Sequence, residues 1–139
     1  TNVNIRGNVS GLSQAAPQTS DVVRLILFID KQTNGTAPAV SDLLQVANIY
    51  SFMNMDNVDR FVILKDKYIT NDQTAILAAT STGQVKVFKF NKKMNLPIHY
   101  SANTGAVSEV KSNNIYLLAI SLNAKSQYTY NCRVKFVDA

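Results

Sequence analysis

The stretch at 21–30, DVVRLILFID, is apolar almost without a break, with Arg24 as its one cation. β-Branched and aromatic residues at that density form a strand buried on both faces, and such a strand belongs in the middle of a sheet. The run is too short and too interrupted to cross a membrane. Beyond Asp30 the chain changes character at once. Asn34-Gly35 can take up positive φ, and Pro38 stops a strand from continuing. Ser41 is then placed to cap a short helix over 41–48, with Asp42 near its positive end and Leu43, Leu44 and Val46 facing inward. A buried strand is delivered into a decorated loop.

The remaining chain reads as strands separated by turns. Residues 3–9 alternate, with Val3, Ile5, Gly7 and Val9 on one face, as in an edge or half-buried strand. Residues 60–70 form a second strong strand, and 75–80 a weaker one. In QVKVFKF at 84–90, Lys86 and Lys89 fall out of phase, which predicts a bulge or a twisted strand. Residues 98–101 are a short strand, and 115–122 is apolar on both faces. The clearest alternation closes the chain: Tyr128, Tyr130, Cys132, Val134 and Phe136 share one phase, and Thr129, Asn131, Arg133 and Lys135 the other. That makes about eight strands, hence an all-β, eight-stranded antiparallel sandwich or barrel with one short helix, in a single domain over 1–139. Leu25, Leu27, Phe61, Ile63, Leu117 and Phe136 are its expected core. Cys132, the one cysteine, cannot form an internal disulfide and reads as a buried thiol.

Catalytic chemistry finds little to work with. The single histidine, His99, cannot assemble a multi-histidine metal centre, and no nucleotide-binding, nucleophile-elbow or zinc spacing occurs. No enzymatic activity and no cofactor are expected. Asp56 and Asp59, within NMDNVD, offer oxygen ligands to calcium, but without the order of a calcium loop the preferred reading is a hydrogen-bonded loop. Net charge is +5, compatible with an anionic partner. Arg6, Arg133 and Lys135 lie on the polar phases of the first and last strands, and Lys65 and Lys67 at the end of RFVILKDK. If these three strands share a sheet, the five cations form one face for phosphates; otherwise they are a solvated rim. Lys86, Lys89, Lys92 and Lys93 lie among Phe88 and Phe90, which read better as core with a lysine rim than as a stacking platform.

The succession VRLILFID, NGTAPAVSDLL and DRFVILKDKYIT resembles the coat proteins of small icosahedral viruses, namely circular single-stranded DNA viruses that encode a replication initiator and the plant satellite necrosis viruses. The residues carrying the resemblance are Asp30; Asn34, Gly35, Pro38, Val40, Asp42 and Leu44; and Arg60, Phe61, Leu64, Lys65 and Asp66. YNCRVKFVDA is more loosely similar to the closing strand. The resemblance implies a jelly roll of two four-stranded sheets, in about 60 copies closing an icosahedral shell around a single-stranded genome, DNA or else RNA. It places the protein in the virion, with assembly in the host nucleus open, and puts Asn34, Gly35, Pro38 and Asp42 at a subunit boundary. It also implies a basic arm upstream of TNVNIRG. The rival reading is a carbohydrate- or receptor-binding jelly roll of lectin or cytokine type.

Overall fold

The computed structural model describes residues 2–11, 20–33, 35–72, 85–102, 104 and 106–135. Its strands are β1 (Asn2–Gly11), β2 (Asp21–Asp30), β3 (Phe61–Asn71), β4 (Val85–Lys93), β5 (His99–Tyr100), β6 (Val110–Ser112), β7 (Asn114–Ser121) and β8 (Ser126–Lys135), with one α-helix among the described residues, α1 (Val40–Leu43). All strand pairing is antiparallel. One sheet has the order β4-β1-β8 and the other β3-β2-β7, while β5 and β6 pair alone. The fold is all-β and jelly-roll-like, although among the described residues its principal sheets have three strands each and not four.

The two sheets pack face to face. Val3, Ile5 and Val9 of β1, Val23, Leu25 and Leu27 of β2, Ile69 of β3, and Phe88 and Phe90 of β4 meet between them. The other phase of β2 is equally buried, because residues 40–53 lie over it. Ile26 and Phe28 pack there against Leu43, Leu44 and Phe61, with Tyr116, Leu118 and Ile120 of β7 alongside. A third layer, made of loop and one turn of helix, therefore explains why DVVRLILFID is apolar on both faces.

Charged residues of β2 fasten this layer. Arg24 projects to the loop side, where Nε and Nη2 donate to the Asp66 carboxylate at 3.0 and 2.6 Å. Its Nη1 donates to the carbonyls of Ile49 and Ser51 at 3.0 and 2.6 Å, and its guanidinium lies 5.1 Å from the centre of the Tyr68 ring. At the end of β2, the buried Asp30 accepts two hydrogen bonds from Arg60 and one from the Gln32 amide. At its start, the buried Asp21 accepts from Ser121 Oγ and from the amides of Asn123 and Lys125, tying down the β7–β8 turn. Burial pushes the Asp21 carboxyl up, but these hydrogen bonds outweigh burial and hold it below the ordinary value.

Several sequence expectations are corrected. The helix ends at Leu43, short of 48, and starts after Ala39 rather than Ser41, with the Asp42 carboxylate accepting from the Ala39 amide. Val46 faces outward, 63% exposed. β1 is not an edge strand but the centre of its sheet. The pairing of β1 with β4 runs without a register shift, so Lys86 and Lys89 are out of phase simply because they face opposite sides. The irregularity lies instead in β3, where the register skips Leu64 opposite Leu27 and Phe28. That skip turns Phe61 and Ile63 to the loop side; Phe61 is buried there, whereas Ile63 is exposed. Leu25 and Leu27 are buried, and Leu117 is half-buried against the core. Cys132 is exposed, not buried, since β8 is an edge strand and nothing among the described residues covers its inward face. Phe136 and the strand expected at 75–80 lie outside the described residues.

Candidate nucleic-acid interface

The three strands of the β4-β1-β8 sheet contain no Asp or Glu. Antiparallel register then decides which cations share a face, because directly paired residues point the same way. Ile5 and Val9 take the core phase, so the intervening positions of β1 face out. Across the sheet these give the rows Lys93–Asn2–Lys135, Asn91–Asn4–Arg133 and Lys89–Arg6–Asn131. Arg6, Lys89, Lys93, Arg133 and Lys135 thus form one outward cluster interleaved with four asparagines, and all five cations are exposed. Cations two residues apart on a strand stand about 7 Å apart, and strands lie about 5 Å apart.

Between β1 and β8 this face holds a depression of about 550 Å³ lined by Asn4, Arg6, Asn131, Cys132, Arg133 and Lys135. The two ion pairs found among the described residues, Arg24–Asp66 and Arg60–Asp30, belong to the other sheet. Guanidinium and ammonium donors beside amides, with no anion on the same strands, suit phosphate oxygens and the polar edges of bases.

Of the cations expected to act together, Arg6, Arg133 and Lys135 are brought onto this face. Lys65 and Lys67 are not. They sit on β3, in the other sheet, in register with Leu27 and Leu25. Lys65 instead reaches the cleft between the sheets, lining a cavity of about 250 Å³ with Lys89, Lys92 and Phe90. Lys89 and Lys93 complete the outward cluster, although the sequence alone sets them with Lys86 and Lys92. The signal that separates them is parity: positions 89 and 93 share one phase of β4, and 86 and 92 share the other. Phe88 and Phe90 are core, 1% and 3% exposed, and do not form a stacking platform.

On the opposite side of the molecule the third layer has a different chemistry. Residues 32–59 contain three aspartates and no Lys or Arg. Gly35 has φ of +75°, and a Cβ there would stand 3.1 Å from the Ser108 carbonyl oxygen. Gly35, Pro38 and Asp42 are half-buried, while Asn34 lies outside the described residues. Exposed apolar side chains come after them in the chain: Val46, Tyr50, Phe52, Met55 and Val58. Asn54 and Asn57 donate to the Ser41 and Asp42 carbonyls, which holds this loop in place. Asp56 and Asp59 are both exposed, and among the described residues no group of three or more His, Cys, Asp or Glu could hold a metal ion. No helix among the described residues is long and apolar enough to cross a membrane.

Comparison with known proteins bears directly on these two faces. Residues 2–139 match the family model described as satellite tobacco necrosis virus coat protein. The coat protein of Maize white line mosaic satellite virus is 28% identical over 125 residues, which cover 86% of this chain and 54% of that protein. The chain thus spans about half the length of the curated relative it matches. Of the two virus groups that the sequence resembles, the matches lie with the satellite viruses; the circular DNA viruses, and with them assembly in the nucleus, gain no support. Nor does a lectin- or cytokine-type module. A match running over almost every residue settles the kinship: this chain belongs to the satellite tobacco necrosis virus coat protein family.

Proposed function

We propose that the chain is the shell-forming part of a structural capsid protein that encloses a single-stranded RNA genome, with the β4-β1-β8 face turned toward the RNA. RNA replaces DNA in this reading because satellite viruses carry single-stranded RNA. The observation that carries it is the division of charge. Five cations, on three strands that contain no Asp or Glu, occupy one broad face, and a neutral-to-acidic apolar layer occupies the other. In a closed shell of about 60 copies, such polarity attracts the genome on the inside and keeps it off the outside. Neighbouring subunits meet through the third layer. Gly35, Pro38 and Asp42 shape its frame, and Val46, Phe52, Met55 and Val58 supply the apolar contact. The role is structural, and no step requires a catalytic group.

The test is ultraviolet crosslinking of RNA-filled particles followed by peptide mapping. Crosslinks should concentrate in peptides from β1, β4 and β8 and be sparse in residues 40–60. Crosslinks concentrated in the third layer would overturn the orientation.

A further inference from the structure

Lysine at an inward position of an edge strand usually guards that edge, because a charge there refuses a further strand. Lys67 and Lys86 fit that role. They take inward places on β3 and β4, opposite Leu25 and Val9, and neither lines the cavity between the sheets. Lys65 and Lys92 also take inward places, opposite Leu27 and Val3, but together with Lys89 they surround that one cavity of about 250 Å³.

Three observations make this more than an edge guard. The first is how Lys65 gets there. Strand alternation would put Leu64 and Lys65 on opposite sides of β3, but the register skips Leu64, which packs against the core from the side on which Lys65 pairs with Leu27. A bulge of this kind re-aims a side chain at the edge of a sheet. The second is the floor. Leu27 and Phe90 are buried and Leu64 is half-buried, whereas all three lysines are exposed, so the cavity has an apolar base and a cationic rim. The third is the missing counter-charge. No lining residue is acidic, and none of the three lysines is in an ion pair with another described residue. Asp66, next to Lys65, is held on the loop side by Arg24. Between Asp66 and Glu109 the sequence has one carboxylate, Asp72, which lies past the far end of β3. Like charges contributed by two sheets repel across the gap until an anion joins them.

We propose that this cleft binds a phosphate ester, its oxygens held by Lys65, Lys89 and Lys92 and its carbon side laid on Leu64 and Phe90. Lysine supplies compact point charges with rotatable donors, so three of them can meet one tetrahedral group. A cavity of about 250 Å³ lies just below the range of about 300–1,000 Å³ for drug-sized ligands, which is the scale of a sugar phosphate. The group can come from a free nucleotide or from the RNA backbone. The site does not depend on which face of the subunit meets the genome.

The test is lysine footprinting. RNA-free coat-protein subunits are acetylated briefly, alone and with uridine monophosphate, inorganic phosphate, uridine or a short oligouridylate, and each lysine is followed by mass spectrometry. Lys67 and Lys86, on the same strands and in the same inward phase, are internal controls; Lys89 also belongs to the outward cluster and is left out of the comparison. Uridine monophosphate at about ten times its Kd should slow modification of Lys65 and Lys92 about 10-fold relative to the controls, and uridine should not. Protection by inorganic phosphate as well assigns the site to free phosphates, and protection by oligouridylate alone assigns it to the RNA backbone; either result supports the proposal. Equal slowing at all four lysines, or none at Lys65 and Lys92 with any phosphate probe, would overturn it. Oligouridylate that protects Lys93 and Lys135 but neither Lys65 nor Lys92 would leave the RNA face standing and overturn this site alone.

Discussion

Replacing Arg6 and Arg133 by glutamine removes two of the five outward cations of the β4-β1-β8 sheet and leaves their stems and hydrogen-bonding ends in place. Neither residue is in an ion pair with another described residue, and both side chains are exposed, so folding should be nearly unaffected. Binding should change by a calculable amount. For a single strand, the logarithm of affinity falls with the logarithm of salt by about 0.7 for each phosphate neutralised. Five cations give a slope contribution of about −3.5, and the double variant about −2.1. Between 50 and 200 mM salt, affinity should therefore fall about 100-fold through this face in the parent and about 20-fold in the variant. The assay is fluorescence anisotropy of an unstructured RNA oligonucleotide with coat-protein subunits kept below the concentration of assembly. Cationic sequence elsewhere in the full protein adds to both slopes and cancels in their difference. Lys31 and Lys111 are exposed but lie off the cluster, so glutamine at both should leave the slope unchanged. An unchanged slope in the Arg6→Gln/Arg133→Gln protein, or an equal change in the Lys31→Gln/Lys111→Gln control, would refute the reasoning.

Four other outcomes are expected. Arg24→Met should lower unfolding free energy in denaturant by about 3–5 kcal/mol, because it strands the Asp66 carboxylate and the Ile49 carbonyl; Asp66→Asn in the same background should then cost much less than it does alone. The Asp21 carboxyl titrates below its unfolded value of 3.8, so its stabilisation is complete above that value and is lost as pH falls through the lower folded one; Asp21→Asn should flatten that acid limb in pH-dependent unfolding. Gly7→Ala should destabilise by at least about 1–3 kcal/mol, since the new Cβ would collide with the Thr129 carbonyl oxygen and sit 2.7 Å from Phe88 Cζ. Phe88→Leu should not fully rescue it, because the backbone clash remains. Phe52→Ser, at a side chain 79% exposed, should leave the melting temperature within a degree or two and reduce particle yield in sedimentation.

Much of this can be read from the residues. The two-faced burial of DVVRLILFID, the alternation of β8, the turn at Gly35 and the core status of Phe88 and Phe90 all come from local periodicity, which a sequence carries directly. The pairing of strands does not. Lys65 and Lys67 look like partners of Arg6 because nothing in the residues says that β3 and β1 lie in different sheets. The third layer is equally hidden. A four-residue helix and an irregular loop have no period, so the cover on Ile26 and Phe28 can only be inferred from the apolarity it protects. The resemblance carried by Asp30, Arg60 and Asp66 acquires a mechanism here, since Asp30–Arg60 and Arg24–Asp66 are the two ion pairs found among the described residues, and both fasten β2 to the chain at 60–66. Those residues hold the scaffold together, and the exposed apolar contacts begin further along, at Val46.

The strict two-residue alternation of β1, β4 and β8 has a consequence for how such a protein can change. On these strands the cation and the core residue are next-door neighbours, as with Ile5 and Arg6 or Lys89 and Phe90. Substitution can adjust either face alone, but inserting or deleting one residue exchanges the faces beyond that point, sending arginine into the interior and valine to the outward face. Length changes in these strands should therefore be lost from any mutant population together with both stability and packaging, while an insertion at 45–48, where four consecutive residues are exposed, should cost folding less. A deep insertion-and-deletion scan would draw the β4-β1-β8 sheet as three silent bars along the sequence.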